Sequence, residues 1–274
     1  MYIISVVIEN ERAKVTLFDK QYKLLTKKYG DYNNVSALCN DIISEKGIKV
    51  SEVHYIGVAV DALTANPESV TNSLEKSLGI KCYCASLLGA RALGEAYSSN
   101  DVPFLVMLKI DDTVECGIVI DKKLYSGAND FAARVAHMVI NFDGYECACG
   151  RHGCFEAYAS NSGLRCIAKE SGMIKTNDLT HSELFLNNTP EAKHAQKLYV
   201  EYLASGITDI INLFQPNELV LDGPFTKVGD PIILPMMDIV LREQYTHDTP
   251  NQCNVRLASL DTDIISIGAA LLGR

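Results

Sequence analysis

The sequence predicts an α/β protein of two related lobes, and three observations carry that reading. Three strand-like segments with tight connections open the chain, the same pattern recurs after position 103, and alternating helix-like and strand-like segments follow each. Between them, Ser98-Ser99-Asn100-Asp101-Val102-Pro103 has the composition of a linker, polar residues closed by a proline. A chain of 274 residues with 47% hydrophobic content is long enough to bury two cores. The first lobe is set at 1-100, completed by a closing helix over 262-274, and the second at 101-261, with a cleft expected between them.

The elements follow in order. Ile3 to Ile8 is an apolar, β-branched run, Ala13 to Phe18 alternates, and Lys23 to Tyr29 comes after a polar turn, which together make an antiparallel meander. Val35, Leu38, Ile42 and Ile43 lie at helical spacing behind Asn34, an expected N-cap. His54 to Val60 reads as a buried strand, Pro67 to Leu78 as a helix with proline in its first turn, Lys81 to Ala85 as a short strand and Ala90 to Tyr97 as a helix. In the second lobe Phe104 to Ile110, Cys116 to Ile120 and Lys122 to Tyr125 repeat the meander, with Asp121-Lys122 as its tight reversal. A helix is expected from Cys154 to about Lys169, a short one over Asp178 to Asn187, and a long one over Glu191 to Phe214 with a stripe of Ala195, Leu198, Tyr202, Ile207, Ile210 and Ile211, ended by Pro216. Glu218 to Gly223 reads as a strand entering a turn, Asp230 to Leu241 as a helix and Val255 to Ala258 as a last strand. Ile264 to Leu272 is the closing helix, packing back on the first lobe or the hinge.

The most chemically loaded stretch is His137 followed by Cys147-Ala148-Cys149-Gly150-Arg151-His152-Gly153-Cys154-Phe155-Glu156. One imidazole and three thiols suit a tetrahedral zinc ion, and Gly150 and Gly153 let the backbone wrap closely enough for Cys149 and Cys154 to share it. The competing reading is that the nine cysteines are buried thiols or disulfide partners. Met1 to Ile8 lacks a basic leader and runs straight into strand-like sequence, so a reducing, cytoplasmic setting is expected, in which clustered cysteines favour metal. Zinc bound by His137, Cys147, Cys149 and Cys154 is therefore predicted, within a loop over 137-156. Cys154, at a helix start, is expected to gain thiolate stabilisation from the helix dipole. Cys39, Cys82, Cys84, Cys116, Cys166 and Cys253 read as packing residues.

Composition narrows the partners. With 34 acidic against 25 basic residues the net charge is -9, and no Lys/Arg cluster marks a nucleic-acid footprint, so direct nucleic-acid binding is not expected. No apolar run reaches the roughly 20 residues needed to cross a bilayer, so no membrane association is expected either. A small-molecule ligand is the expected partner, in a homodimer or higher homo-oligomer.

The order of elements and the words around the metal stretch resemble the ROK family, the sugar kinases and sugar-responsive repressors built on the two-lobed actin-like ATPase (ribonuclease H-like) fold. The resemblance covers nearly the whole chain. Its most specific part is the family's Gly-Glu-x-Gly-His segment followed by Cys-x-Cys-Gly-x-x-Gly-Cys-x-Glu, matched here by His137, Cys147, Cys149, Gly150, Gly153, Cys154 and Glu156. Weaker echoes are Ala92-Leu93-Gly94-Glu95, Leu124 to Asn129, Asn212 through Gly223, and Gly268-Ala269-Ala270. The resemblance implies a zinc-binding insertion in the second lobe and ATP-dependent phosphorylation of a hexose in the cleft.

The residues that resemblance requires for phosphoryl transfer are largely replaced. Where the family has an Asp-x-Gly-Gly-Thr phosphate turn, this chain has Glu9-Asn10-Glu11-Arg12, without glycine and with two carboxylates. The family's second glycine-rich phosphate loop corresponds to Asp111-Asp112-Thr113-Val114-Glu115-Cys116-Gly117, which keeps only the last glycine. A carboxylate about 4 Å from a phosphate charge is repelled by several kcal/mol at an effective dielectric near 20, so ATP with magnesium is disfavoured as a cofactor. Leu87 falls at the position of the family's catalytic aspartate, and Arg134 at that of its sugar-contacting glutamate, which leaves His137 and Glu156 as the sugar-binding positions retained. Asp222, before Gly223, departs from a Gly-Gly turn. Asp61 and the Asp111-Asp112 pair are candidate substitutes for the missing groups, or else turn residues facing water. His137 reads as structural, and Glu156 as either a ligand for a polyol hydroxyl or a first-turn helix carboxylate.

The expected function is a zinc-containing ROK-family protein without sugar kinase activity, acting as a carbohydrate-sensing, regulatory or scaffolding protein. Two alternatives stand beside it: an ATP-dependent hexose kinase with rearranged catalytic residues, and the effector domain of a ROK transcriptional regulator. Nothing before Ile3 reads as a DNA-binding module.

Overall fold

The computed structural model of the chain describes residues 1–61, 64–129, 132–245 and 252–274. Its strands are β1 (Tyr2–Glu9), β2 (Arg12–Asp19), β3 (Leu24–Asp31), β4 (Val53–Val60), β5 (Cys82–Ser86), β6 (Phe104–Ile110), β7 (Val114–Ile120), β8 (Lys123–Leu124), β9 (Glu218–Asp222) and β10 (Asn254–Leu257). Its helices are α1 (Val35–Glu45), α2 (Pro67–Leu78), α3 (Leu87–Ser98), α4 (Phe155–Ala159), α5 (Asn161–Glu170), α6 (His181–Leu186), α7 (Pro190–Phe214), α8 (Asp230–Glu243) and α9 (Ile264–Ala270). The strands form two five-stranded sheets, β3-β2-β1-β4-β5 and β10-β9-β6-β7-β8. Read from the centre, the two orders are the same, with β6, β7, β8, β9 and β10 standing where β1, β2, β3, β4 and β5 stand. The repeat seen in the sequence is thus a repeat of sheet topology.

Two compact units make up the chain, one of residues 1–103, 119–124 and 259–274, the other of residues 104–118 and 125–258. In unit 1 the antiparallel β1-β2-β3 meander is joined in parallel by β4 and β5. The period-two rule puts alternate residues of a strand on opposite faces. Ile4, Val6, Ile8, Val15 and Leu17 accordingly pack on Ile42 and Ile43 of α1 and Leu74 and Leu78 of α2. Val7 and Ala59, on the other face, pack on Ala90 of α3 and Ala269 of α9. There the Ala92-Leu93-Gly94-Glu95 and Gly268-Ala269-Ala270 segments turn out to be one helix crossing. A Cβ on Gly268 would lie 1.6 Å from the carbonyl oxygen of Ala90, a distance only glycine avoids. Glu95 is fully buried at this crossing and accepts the Ser259 N–H at 2.7 Å.

Unit 2 has one core, in which Val106, Leu108 and Ile110 of β6 and Leu219 and Leu221 of β9 meet Phe155, Tyr158, Leu164, Tyr199, Leu203 and Ile207. The long helix α7 runs as its spacing predicts, with Thr189 capping it through the Ala192 N–H and Pro190 in the first turn. Leu198 and Tyr202 are only half-buried, because the fully buried stripe is centred on Ala195, Tyr199, Leu203 and Ile207. The single helix expected from Cys154 to about Lys169 is instead two. Ser160, with extended backbone at ψ 169°, ends α4 and caps α5 by accepting the Gly163 N–H. Asn34 stands at the N-cap position of α1 but makes no capping bond, and α3 begins at Leu87 behind a capping Ser86 rather than at Ala90. Asp121 and Lys122 both take positive φ (48° and 68°), as a two-residue reversal between β7 and β8 requires. Among the described residues no helix is long and apolar enough to cross a membrane.

A buried polar chain ties α6 and α7 to α4. The Tyr199 hydroxyl donates to the Ala159 carbonyl at 2.8 Å and receives His181 Nε2–H at 2.8 Å. Burial is the main force holding the His181 imidazole neutral and pushes its pKa down to about 4, with Arg165 acting in the same direction and Asp111 against it. A histidine with a lowered folded pKa gives its full stability above its ordinary value near 6.5 and loses it as pH falls toward the folded value. Unfolding titrations should therefore show roughly 3 kcal/mol of stability lost between pH 6.5 and 4 through this residue. His181→Gln should flatten that part of the profile, and an unchanged difference between wild type and variant across the range would refute the assignment.

Candidate metal centre and its neighbours

The metal stretch folds as a compact loop closed by α4. Val139 and Cys154 form one isolated bridge, Glu146 and His152 another, and Gly153 sits between them at φ +71°. A Cβ on Gly153 would lie 1.5 Å from the Asn141 carbonyl oxygen, so the loop closes only around a residue without a side chain. Backbone bonds reinforce the closure, with the Cys147 N–H donating to Arg151 at 2.8 Å and the Gly153 N–H to Tyr145 at 2.8 Å. Arg151 reaches back through Nη1 to the His137 carbonyl at 3.1 Å.

This loop brings together His137, Cys147, Cys149 and Cys154, whose ligand atoms all lie within 4.8 Å of one another. Sγ of Cys149 and Cys154 are 3.6 Å apart, and His137 Nδ1 is 3.7 Å from Cys147 Sγ. A tetrahedral ion with metal–sulfur bonds of about 2.3 Å and metal–nitrogen bonds of about 2.1 Å has ligand–ligand edges of roughly 3.6 to 3.8 Å. These two distances fit that figure. Cys147 and Cys154 are buried and Cys149 is exposed, so the site opens to solvent on one side. Burial, followed by the neighbouring thiols, pushes the Cys154 thiol up to about 12, whereas the Arg151 backbone N–H holds Cys149 below the ordinary thiol range. The helix dipole expected to act on Cys154 is that of α4, which has only five residues.

Aromatic residues hold the loop on the unit 2 core. The buried Tyr158 hydroxyl accepts the Tyr145 N–H and Asn141 Nδ2, both at 3.1 Å. Its ring stacks on Tyr145 at 4.6 Å and lies 4.1 Å from the Tyr202 centroid. Sequence reasoning missed Tyr158 and Asn141, since neither belongs to a ligand pattern and an aromatic residue on a helix carries no signal of its partners.

Glu156 stands in the first turn of α4, two residues after Cys154. Its Oε2 accepts the Val114 N–H at 2.9 Å, and its Oε1 lies 3.9 Å from Cys147 Sγ. Asn161 completes the link to the β6–β7 turn: its N–H donates to the Asp111 carbonyl at 2.8 Å, and its Nδ2 to the carboxylates of Asp111 and Asp112, both at 2.9 Å. Asp112 is exposed and engaged in this way. Asp61 belongs to unit 1, at the end of β4, where its Oδ2 accepts the Thr64 hydroxyl at 3.0 Å and its carbonyl accepts the Thr64 and Ala65 N–H groups. Leu87, also in unit 1, is half-buried and packs with Val7, Ala59 and Ala269. Arg134 is exposed and stands at the N-cap position of the short 3-10 turn that carries His137, without a side-chain capping bond. The Glu9-Asn10-Glu11-Arg12 hairpin turn has Asn10 and Glu11 at positive φ (49° and 61°) and lines a unit 1 cavity of about 850 Å³ that also meets Tyr29 and Asp31.

Comparison with known proteins places this arrangement in a family. The ROK family profile matches residues 34–274, and the chain belongs to the ROK family. Over 151 residues it is 29% identical to the xylose repressor of Bacillus spizizenii, covering 55% of this chain and 38% of the repressor. Over 191 residues it is 24% identical to the glucokinase of Thermotoga maritima, covering 63% and 59%. The chain spans about half the length of the curated xylose repressors it matches, from 38% to 51% for the four Caldicellulosiruptor and Bacillus proteins. Among solved structures, a ROK hexokinase from Thermus thermophilus superposes with a TM-score of 0.82 at 18% identity, covering 99% of this chain and 98% of that one. A ROK transcriptional regulator homologous to the Escherichia coli MLC protein gives 0.75 at 17%, covering 99% and 77%. A ROK glucokinase from Streptomyces griseus, in complex with glucose and AMPPNP, gives 0.64 at 19%, covering 98% of each chain. The fold is therefore the two-sheet actin-like ATPase fold of ROK proteins, shared by kinases and regulators alike.

Metal content and thermal unfolding test the four-ligand cluster. One ion per chain is expected by mass spectrometry of the elements. Cys154→Ser, which removes a buried ligand, should abolish it and lower Tm by roughly 10 °C, the shift for about 4 kcal/mol of ligand-linked stability in a domain this size. Retention of the ion with unchanged Tm would rule the cluster out.

Proposed function

We propose that this chain is a carbohydrate-sensing ROK protein that carries a structural zinc ion and no sugar kinase activity. The observation that carries the reading is Leu87: it stands where the kinases of the family are expected to hold their general base, and a hydrocarbon side chain accepts no proton. Losing a positioned base costs on the order of 100- to 10,000-fold in rate. Support comes from the hairpin turn Glu9-Asn10-Glu11-Arg12, whose carboxylates oppose a phosphate, and from the engagement of Asp61 by Thr64 and of Asp112 by Asn161, which ties up the two candidate substitutes.

Zinc fits the donor set, since three thiols and an imidazole at tetrahedral spacing suit a borderline-soft ion without geometric preference. His137, Cys147, Cys149 and Cys154 would hold it, and with no ligand position left open its contribution is to fold the loop. Glu156 Oε1, 3.9 Å from Cys147 Sγ, is the acceptor proposed for a sugar hydroxyl. Repressors of the family match the chain over about half their length, which supports a regulatory, ligand-sensing role; a homodimer or higher homo-oligomer is proposed with it.

An ADP-release assay with glucose and xylose tests the central point. Turnover should lie below about 0.01 s⁻¹, against about 1–100 s⁻¹ for working kinases. Turnover in that higher range, abolished by Asp61→Asn or Asp112→Asn, would overturn the proposal in favour of a rewired kinase.

A further inference from the structure

Four hydrogen bonds join the chain that follows the metal loop to the β6–β7 turn, and all come from Glu156 and Asn161. Cys154, a buried member of the ligand cluster, bridges to Val139, and the next residue, Phe155, donates its N–H to Met138 at 2.8 Å while its ring is fully buried. The start of α4 is thereby fixed to the loop. From that start, Glu156 Oε2 takes the Val114 N–H, and from the break after α4, Asn161 takes the Asp111 carbonyl and the Asp111 and Asp112 side chains. Val114 is buried, so without Glu156 its N–H would face a desolvated site with no acceptor, at a cost comparable to a lost hydrogen bond.

We infer that Glu156 latches the β6–β7 turn to the metal loop, so that metal occupancy sets the order of Asp111–Val114. The inference rests on the metal reading of His137, Cys147, Cys149 and Cys154. Metal binding fixes Cys154, Cys154 fixes the first turn of α4, and that turn presents a carboxylate to the Val114 amide. While the latch is closed, the amide is filled by the chain's own anion and is not available to another. Linkage makes the coupling reciprocal: whatever factor the metal adds to closure of the turn, closure adds to metal affinity.

Hydrogen exchange of the full chain, loaded with zinc and then stripped with chelator, tests the latch once metal stoichiometry has been measured. Stripping should speed exchange at Val114 and across Asp111–Thr113 about tenfold or more, with β6 still protected. Glu156→Ala should exchange rapidly at Val114 with or without zinc, keep a protected metal loop when loaded, and bind zinc more weakly by the same factor. Glu156→Gln, which retains an oxygen acceptor, should keep the coupling and guards against a variant that fails to fold. Absence of bound zinc would defeat the metal reading itself. Bound zinc with a turn indifferent to stripping, or loss of protection throughout unit 2 on stripping, would overturn the latch alone, since in the second case the metal would be holding the whole unit.

Discussion

The step from Cys154 to Glu156 is the constraint on which unit 2 depends. One buried thiol belongs to the ligand cluster, the next residue plugs the core against Gly206, where a Cβ would meet the Phe155 ring at 2.2 Å, and the third reaches the β6–β7 turn. A loop rich in positive-φ glycines and exposed polar residues has little hydrophobic reason to hold one shape. An ion held by the four clustered side chains, as proposed, would supply that reason, and the Tyr145–Tyr158–Tyr202 stack joins the loop to the core.

Much of this was legible in the sequence. A continuous apolar run marked β1 because both its faces are buried, one on α1 and α2 and the other on α3 and α9, alternation marked β2, and the second meander could be read because the sheet topology is repeated. The clustering of His137, Cys147, Cys149 and Cys154 was legible because thiols and glycines at close spacing have few other uses. What escaped detection was long-range. The break at Ser160 could not be seen because a serine within a helical pattern is ordinary, and its capping role emerges only with Gly163 held against Tyr158. The Glu156–Val114 bond joins residues 42 positions apart, and no local pattern announces it. Gly94 and Gly268 stood out as family words, yet their reason, a close helix crossing, is a property of the folded unit.

The same physical reading separates fold from chemistry. ROK kinases and ROK regulators share this architecture, so the fold alone does not assign an activity. The assignment falls to a few side chains: an aliphatic residue at Leu87, carboxylates in the Glu9–Arg12 turn, and a β6–β7 turn whose buried amide is already engaged by Glu156. On the proposed reading, these changes would remove proton acceptance, phosphate approach and anion binding, three requirements of phosphoryl transfer. The loop over 137-156, for which a folding role is proposed, keeps the His137, Cys147, Cys149 and Cys154 cluster.

Calorimetric titration of the metal-loaded protein with glucose and with xylose, each with and without magnesium and AMPPNP, tests the account most directly. The account predicts sugar binding with the same Kd in both conditions and no heat from AMPPNP alone. Binding of AMPPNP by itself, or sugar binding that requires it, would contradict the account.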